Sequence, residues 1–219
     1  MRILLKCTPN TQTIPFDYQQ KMIGVLHKWL GENQLHDKIS LYSFSWLQKL
    51  IPNKVGFDCP KGTFFFISFF EEDYLKKLID SILKDPDMFC GIQVAEIQMV
   101  NTPQFGEEER FSLASPVLIK QNIDGNIKFY TYENPESNRI LTETILHKME
   151  KAGLDPDATL RIEFDLSYPK KKTKLVTLHG VKNKTNICPV KVSAKPETLR
   201  FIWNVGLGNS TGSSFGALN

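Results

Sequence analysis

The sequence predicts an α+β fold made of two tandem β-α-β-β-α-β units with antiparallel sheets. Three observations carry that expectation. The first hundred residues read strand, helix, strand, strand, helix, strand by their hydrophobic periodicity. The same order returns, with additions, after a polar segment at 103–109. The length of 219 residues accommodates two domains of roughly 100 residues each.

The elements follow in order. Arg2–Thr8 is a strand closed by Pro9. Asp17 is placed to cap a helix from Tyr18 to Leu30, in which Met22, Leu26, Trp29 and Leu30 form an apolar stripe and Gly31 supplies the stop. Leu41–Leu47 alternates apolar and small polar residues as a half-buried strand does, and the β-rich run Gly62–Phe70 pairs with it. Glu71–Leu83 is acidic at its start and basic at its end, as a helix dipole favours, with Leu75, Leu78, Ile79 and Ile82 on one face. Gly91–Val100 alternates again. Pro103–Glu109 reads as a linker, which divides the chain into domains at 1–102 and 110–219.

In the second half, Phe111–Ile119 and Ile127–Tyr130 read as a hairpin across Asp124-Gly125, a dipeptide suited to a tight turn. A helix from Pro135 to Lys151 carries Ile140, Thr144, Ile145, Leu146 and Met149 and stops at Gly153. Arg161–Leu166 and Lys174–Leu178 are strands flanking the turn Tyr168-Pro169-Lys-Lys-Lys, and Lys191–Ser193 is a further strand. Pro196–Ile202 reads as a short helix, with Ile202–Val205 open between that helix and a last strand. Each unit has the order of a ferredoxin-like (RRM-like) domain with a four-stranded antiparallel sheet.

Composition excludes several classes. With 41% hydrophobic and 23% charged residues, the chain is neither disordered nor fibrous. The longest apolar run, Thr63–Phe70, is strand-length and far short of the roughly 20 residues that cross a bilayer. A charge and Pro9 arrive too early for a signal peptide, so a cytoplasmic protein without membrane contact is expected. Cys7, Cys59, Cys90 and Cys188 are scattered, which speaks for small buried side chains and against a disulfide framework or a metal site. No cofactor is expected.

Charge is distributed unevenly. Residues 1–110 carry 12 Lys+Arg against 14 Asp+Glu, and residues 111–219 carry 15 against 10. From Leu166 to Lys195 there are eight lysines and no acid. A charge run is often only a solvated face, but cations crowded within a Debye length of about 10 Å repel one another unless a polyanion compensates them. A glycine-rich stretch closes the chain: Gly206, Gly208, Gly212 and Gly216 allow close backbone approach to another backbone or to a phosphate. It lacks the lysine of a P-loop and the following helix of a dinucleotide fingerprint. The alternation of Phe215, Ala217 and Leu218 suggests a loop leading into a terminal strand.

Gly206-Leu-Gly208, then Gly212 and Phe215-Gly216-Ala-Leu, resembles the signature loop of the repeat-associated RNA-binding proteins of CRISPR systems. It is similar in particular to the CRISPR-associated endoribonuclease family that cuts the repeats of precursor guide RNA. Ser214 stands where the family has a glycine. Leu35-His36-Asp37 shortly before Leu41-Tyr42-Ser43-Phe44-Ser45, and Ser115-Pro116 after the linker, also fit, so the resemblance spans essentially the whole chain.

The resemblance implies a metal-independent endoribonuclease. The ribose 2′-hydroxyl attacks the adjacent phosphorus and leaves a 2′,3′-cyclic phosphate and a 5′-hydroxyl. Histidine suits the proton transfers because its unperturbed pKa of about 6.5 lies near working pH, and lysine suits the charge on the phosphorane. His36 matches the family's usual catalytic histidine, although a histidine in so polar a segment is also ordinary in a surface loop. His27, one turn before the helix end, is its candidate partner, or else gains only from the helix dipole. Lys38 is the candidate electrostatic stabiliser. His147 reads as structural and His179 as a phosphate contact. RNA binding is expected from Arg161, Lys170, Lys171, Lys172, Lys174, Lys182 and Lys184, and from the loop residues Gly206, Gly208, Asn209, Ser210, Thr211, Gly212 and Ser213. The implied partners are CRISPR repeat RNA or guide RNA and other effector-complex subunits, with the chain a monomer or homodimer. The competing reading is a non-catalytic subunit that only holds guide RNA.

Overall fold

The structure, a computed structural model, describes residues 1–31 and 39–219. The first half runs β1 (Arg2–Cys7), α1 (Gln19–Leu30), β2 (Tyr42–Phe44), β3 (Ile51–Pro52), β4 (Phe57–Asp58), β5 (Thr63–Phe69), α2 (Glu72–Lys84) and β6 (Val94–Val100). Its sheet has the order β2-β5-β1-β6 with every neighbour antiparallel, which is the ferredoxin-like arrangement. Ile3 and Leu5 point from the central strand into the core with Met22, Leu26, Trp29 and Leu30 of α1 and Leu75, Leu78 and Ile82 of α2. The helix stripes read from the sequence are therefore the buried faces. Asp17 does not cap α1: the capping position is Tyr18, and no side-chain cap bond forms. Gly31 does end the helix, with φ 60° and its N–H on the His27 carbonyl. The short hairpin β3–β4 has too few residues to leave a periodic signal.

The second half runs β7 (Glu108–Phe111), β8 (Val117–Leu118), β9 (Lys120–Ile123), β10 (Asn126–Phe129), α3 (Ser137–Lys151), β11 (Arg161–Phe164), β12 (Lys172–Leu178), β13 (Val181–Ile187), β14 (Val190–Ser193) and α4 (Pro196–Val205), followed by a 3₁₀ turn at Thr211–Ser213. The order β11-β14-β7 continues through one bridge, Leu113 to Leu218, so the second ferredoxin-like sheet has a fourth strand reduced to a single pairing. The open choice at Ile202–Val205 falls to the helix. The turn at Asp124-Gly125 forms, with φ 51° and 82°, but it joins β9 to β10 and not Phe111–Ile119 to its neighbour.

Strands do flank the Tyr168-Pro169 turn, as β11 and β12, but the sheet partner of β12 is a strand absent from the sequence expectation: it pairs with β13, Leu178 opposite Val181. The two residues between them, His179 and Gly180, have φ 48° and 76°, the doubly positive conformation that matches the twist of a two-residue hairpin. Glycine takes it at no cost and His179 bears the strain. β13 also pairs with β8, which anchors the hairpin to the body of the protein.

The two halves share side chains. Leu118, Val176, Leu178 and Phe215 belong to the core of the first half, and a separate small cluster joins Phe66 to Ala114 and Ala217. Arg2 is a further joint. Its guanidinium lies between the rings of Phe66 and Trp203, 3.8 and 3.5 Å from the centroids. It donates to Ser68 Oγ at 2.6 Å and to the Trp203 carbonyl at 2.8 Å. Arg2 is 4% exposed, and no carboxylate pairs with it among the described residues. Burial lowers its pKa to about 9, which still leaves it charged at pH 7.

Arg2→Ala removes two hydrogen bonds and leaves a cavity between two aromatic rings, so unfolding in urea at pH 7 should show a loss of about 2–4 kcal/mol. Arg2→Lys keeps the charge without the flat, forked group and should recover less than half of that. Full recovery by lysine would mean that charge alone holds the joint.

Candidate nucleic-acid interface

The hairpin β12–β13 concentrates the unpaired positive charge. Lys172, Lys174, Lys182 and Lys184 are exposed, and none pairs with an acid among the described residues. Strand alternation sorts them. Lys182 and Lys184 stand opposite Thr177 and Leu175 on the outer face. Lys172 and Lys174 share the face that carries Val176 and Leu178, whose burial against the first half lays the hairpin across both halves. The Lys174 ammonium sits 4.6 Å from the Trp46 ring centroid. Its pKa is lowered, first by partial burial and then by Lys172. Lys170 is exposed in the preceding turn, where Lys171 reaches the Tyr168 carbonyl at 3.5 Å. His179 is exposed at the hairpin tip.

Two members of the basic set lie apart from this cluster. Lys191 faces Asp165, at 3.6 Å, and the same carboxylate takes Arg110 Nε at 2.7 Å. Hydrogen bonding from Ser167 and Arg110 holds the Asp165 carboxyl down at about 2, so this acid, one residue outside the lysine run, compensates part of it. Arg161 begins β11, at the end away from the hairpin, and donates to the carbonyls of Ala158 and Leu160 at 3.2 and 2.7 Å.

The glycine-rich stretch is a structural wedge between the halves. Leu207 N–H donates to the Gly216 carbonyl, Asn209 N–H to Leu118, Ser213 N–H to Ser210 and Gly216 N–H to Pro116, each at 2.8 Å. A Cβ on Gly216, at φ +66°, would strike the Leu207 carbonyl oxygen, and one on Gly212 would meet Ser40 Oγ at 2.5 Å and the Tyr42 ring at 2.6 Å. Close approach is thus to other backbone and to the first half. Gly206, Gly208, Thr211 and Gly212 are buried, whereas Asn209, Ser210 and Ser213 keep partial exposure. Asn209 Oδ1 accepts from the Lys120 N–H at 2.8 Å. Trp46 Nε1 donates to the Ser214 carbonyl at 2.8 Å, and Ser43 Oγ to the Asn204 carbonyl at 2.9 Å.

Beneath this loop lies a residue the sequence reading passed over. Lys148, on α3, is 2% exposed and donates to Thr211 Oγ1 at 3.0 Å and to the Val205 carbonyl at 3.2 Å. Val205 closes α4, so the ammonium also meets the negative end of a helix dipole. Desolvation pulls its pKa down to about 7. The available signal was a lysine at the core position of a helix stripe, seven residues after Leu141 and three after Ile145.

Of the expected proton-transfer residues, His36 and Lys38 lie outside the described residues. His27 is in the last turn of α1, half-buried, with ring atom Nδ1 inside the protein. α1 and β2 both run against the Thr211–Ser213 turn, and the Ser40 carbonyl accepts from Thr211 Oγ1 at 3.4 Å. Described residues on both sides of 32–38 therefore border the glycine loop. His147 is exposed beside Glu150 at 3.3 Å, remote in role from that border.

The sequence profile described as CRISPR associated protein Cas6, C-terminal, matches residues 100–219. The chain is 21% identical to a CRISPR-associated endoribonuclease-like protein, Cas6nc, of Pyrococcus horikoshii, over 99% of this chain and 98% of that one. A solved structure from a Cas6-related gene of Pyrococcus furiosus superposes with a TM-score of 0.87 at 20% identity, covering 100% of this chain and 97% of its own. Another, described as a RAMP protein binding different RNA substrates, gives 0.86 at 19% identity, with 100% and 98% covered. These structures share the tandem ferredoxin-like fold.

Lys148 gives a test of the wedge. Its folded pKa of about 7 lies below the ordinary 10.5, so between those values the unfolded chain holds a proton that the native state lacks. Stability should rise with pH across that window, by up to about 1.4 kcal/mol per unit from this residue, and be flat below it. Urea unfolding from pH 6 to 10 should show the wild type gaining on Lys148→Met above pH 7; parallel curves would mean that Lys148 stays charged.

Proposed function

We propose, from the premise that the chain belongs to the CRISPR-associated Cas6 family, that it binds CRISPR repeat RNA and processes it to guide RNA. The observation that carries the RNA reading is the β12–β13 hairpin, a run of exposed lysines without acid partners among the described residues, laid across both halves of the molecule. A flexible polyanion releases counterions on meeting such a surface, and that release drives binding. The division of labour follows the two sequence domains: 1–102 carries the proton-transfer residues and 110–219 the cationic hairpin and the glycine loop.

The cut needs no added nucleophile, because the attacking 2′-hydroxyl belongs to the substrate. One group removes its proton as the new O–P bond forms; another protonates the departing 5′-oxygen as the old O–P bond breaks. His36 takes one of these roles, with His27 its partner, and Lys38 offsets the extra charge of the phosphorane. Asn209, Ser210 and Ser213, the loop residues that remain partly exposed, contact the RNA from the second half. Repeat RNA and its guide-RNA product are the partners, together with other subunits of the effector complex that receives the product.

A second reading has its own support. The relative matched along nearly the whole chain is named endoribonuclease-like, and His27 Nδ1 is buried, which suits a structural histidine. On that reading the protein holds repeat RNA without cutting it.

Incubation of cognate repeat RNA in EDTA separates the two. Cleavage should proceed and leave a 2′,3′-cyclic phosphate, and His36→Ala should slow it by 10²- to 10⁴-fold, the usual worth of a positioned proton donor or acceptor. Tight binding with no cut product would establish the holding role. Binding is tested separately: each of Lys172, Lys174, Lys182 and Lys184 replaced by Ala should lower the log–log salt slope by about 0.7–0.9, and an unchanged slope for all four would remove the hairpin from the interface.

A further inference from the structure

An aromatic cleft opens where the hairpin β12–β13 meets the first half, close to the start of α1. Its volume is about 340 Å³, within the range of small-ligand sites. Phe16, 53% exposed, meets Phe57 edge-on with ring centroids 5.1 Å apart. Tyr18 braces both Phe57 and Trp46 in the same edge-on manner, at 6.1 and 6.4 Å. The hairpin borders it with residues 174–177, of which Leu175, 63% exposed, lies toward the outer face. Two large apolar side chains thus stand open to solvent at the cleft. Gln19 also lines the cleft. It is 4% exposed, so only a small part of it faces the cleft. Lys174 stands at the rim over Trp46.

We propose that this cleft receives one unpaired nucleobase of the bound RNA, stacked on Phe16 beside the hairpin, with the Gln19 amide bonding the base edge and Lys174 holding the adjoining phosphate. The inference rests on the RNA-binding reading and extends it to residues outside the basic run. A flat, neutral, hydrogen-bonding group is what the site fits. Base stacking on an aromatic side chain is sequence-tolerant, since every base has a π face. A side-chain amide offers a donor and an acceptor together, matching the paired donor and acceptor of a base edge. Asp17 also lines the cleft and disfavours a phosphate inside it, while its carboxylate can accept from an exocyclic amine. The surrounding lysines turn away a cationic side chain from a protein partner.

The test uses cognate repeat RNA with 2′-fluoro riboses, which cannot be cut, carrying a single abasic position moved along the strand. Phe16→Ala, with unfolding midpoint checked against the wild type, should weaken binding of intact RNA by roughly tenfold. One abasic position should weaken wild-type binding by a similar factor and make wild type and Phe16→Ala equal. Gln19→Leu should change which base is preferred at that position and no other. If Phe16→Ala leaves affinity unchanged, or weakens intact and abasic RNA alike at every position, the cleft holds no base, although RNA binding by the hairpin stands. If the wild type binds the RNA at no salt concentration, the RNA reading fails and takes this proposal with it.

Discussion

Arg2 is the constraint on which the arrangement of the two halves depends. A guanidinium enclosed by two aromatic faces, with one hydrogen bond to its own sheet and one to the end of α4, fixes the separation and the rotation of both halves at once. The charge has left water without gaining a carboxylate among the described residues, so the rings and the two oxygens supply what hydration supplied. Arginine suits this because its planar group is weakly hydrated and can stack while it donates. Lysine, with a compact and strongly hydrated head, has no equivalent pose.

Given that joint, the glycine-rich stretch has a narrow path between the halves, and its glycines answer to sterics before they answer to any ligand. The Gly216 and Gly212 positions are closed to a Cβ by the Leu207 carbonyl and by Ser40 and Tyr42. Lys148 satisfies the same stretch from below, donating to Thr211 and to the end of α4. The loop is thereby held at fixed height beside α1 and β2, with only Asn209, Ser210 and Ser213 turned partly outward. A nucleic-acid contact made by this loop would come from those three and from a rigid backbone.

The hairpin is the opposite case. Its inner residues Val176 and Leu178 bind it to the first half, its strand β13 binds it to β8, and its outer face is left to water and lysine. Exposed like charges repel, so the hairpin is a surface whose electrostatic cost a bound polyanion would relieve. The aromatic cleft lies along β12, where the hairpin meets the first half, and borrows Lys174 from it.

Much of this protein was legible in the sequence because it is written locally. Apolar stripes in α1 and α2, the stop at Gly31, the turn at Asp124-Gly125 and the glycine-spaced tail each depend on residues a few positions apart, and they were enough for the tandem β-α-β-β-α-β order and the family resemblance. The partner of β12 was not legible, because a strand's neighbour depends on long-range pairing, and the His179-Gly180 turn lacks the asparagine or aspartate that usually announces such hairpins. Nor was the fate of three polar side chains. Arg2 in a strand, Gln19 at a helix start and Lys148 on a helix all look solvated by residue type, and only the packing of a second layer decides that they are buried. Local periodicity determined which elements form; the removal of water between elements distant in sequence decided which charges and amides those elements would enclose.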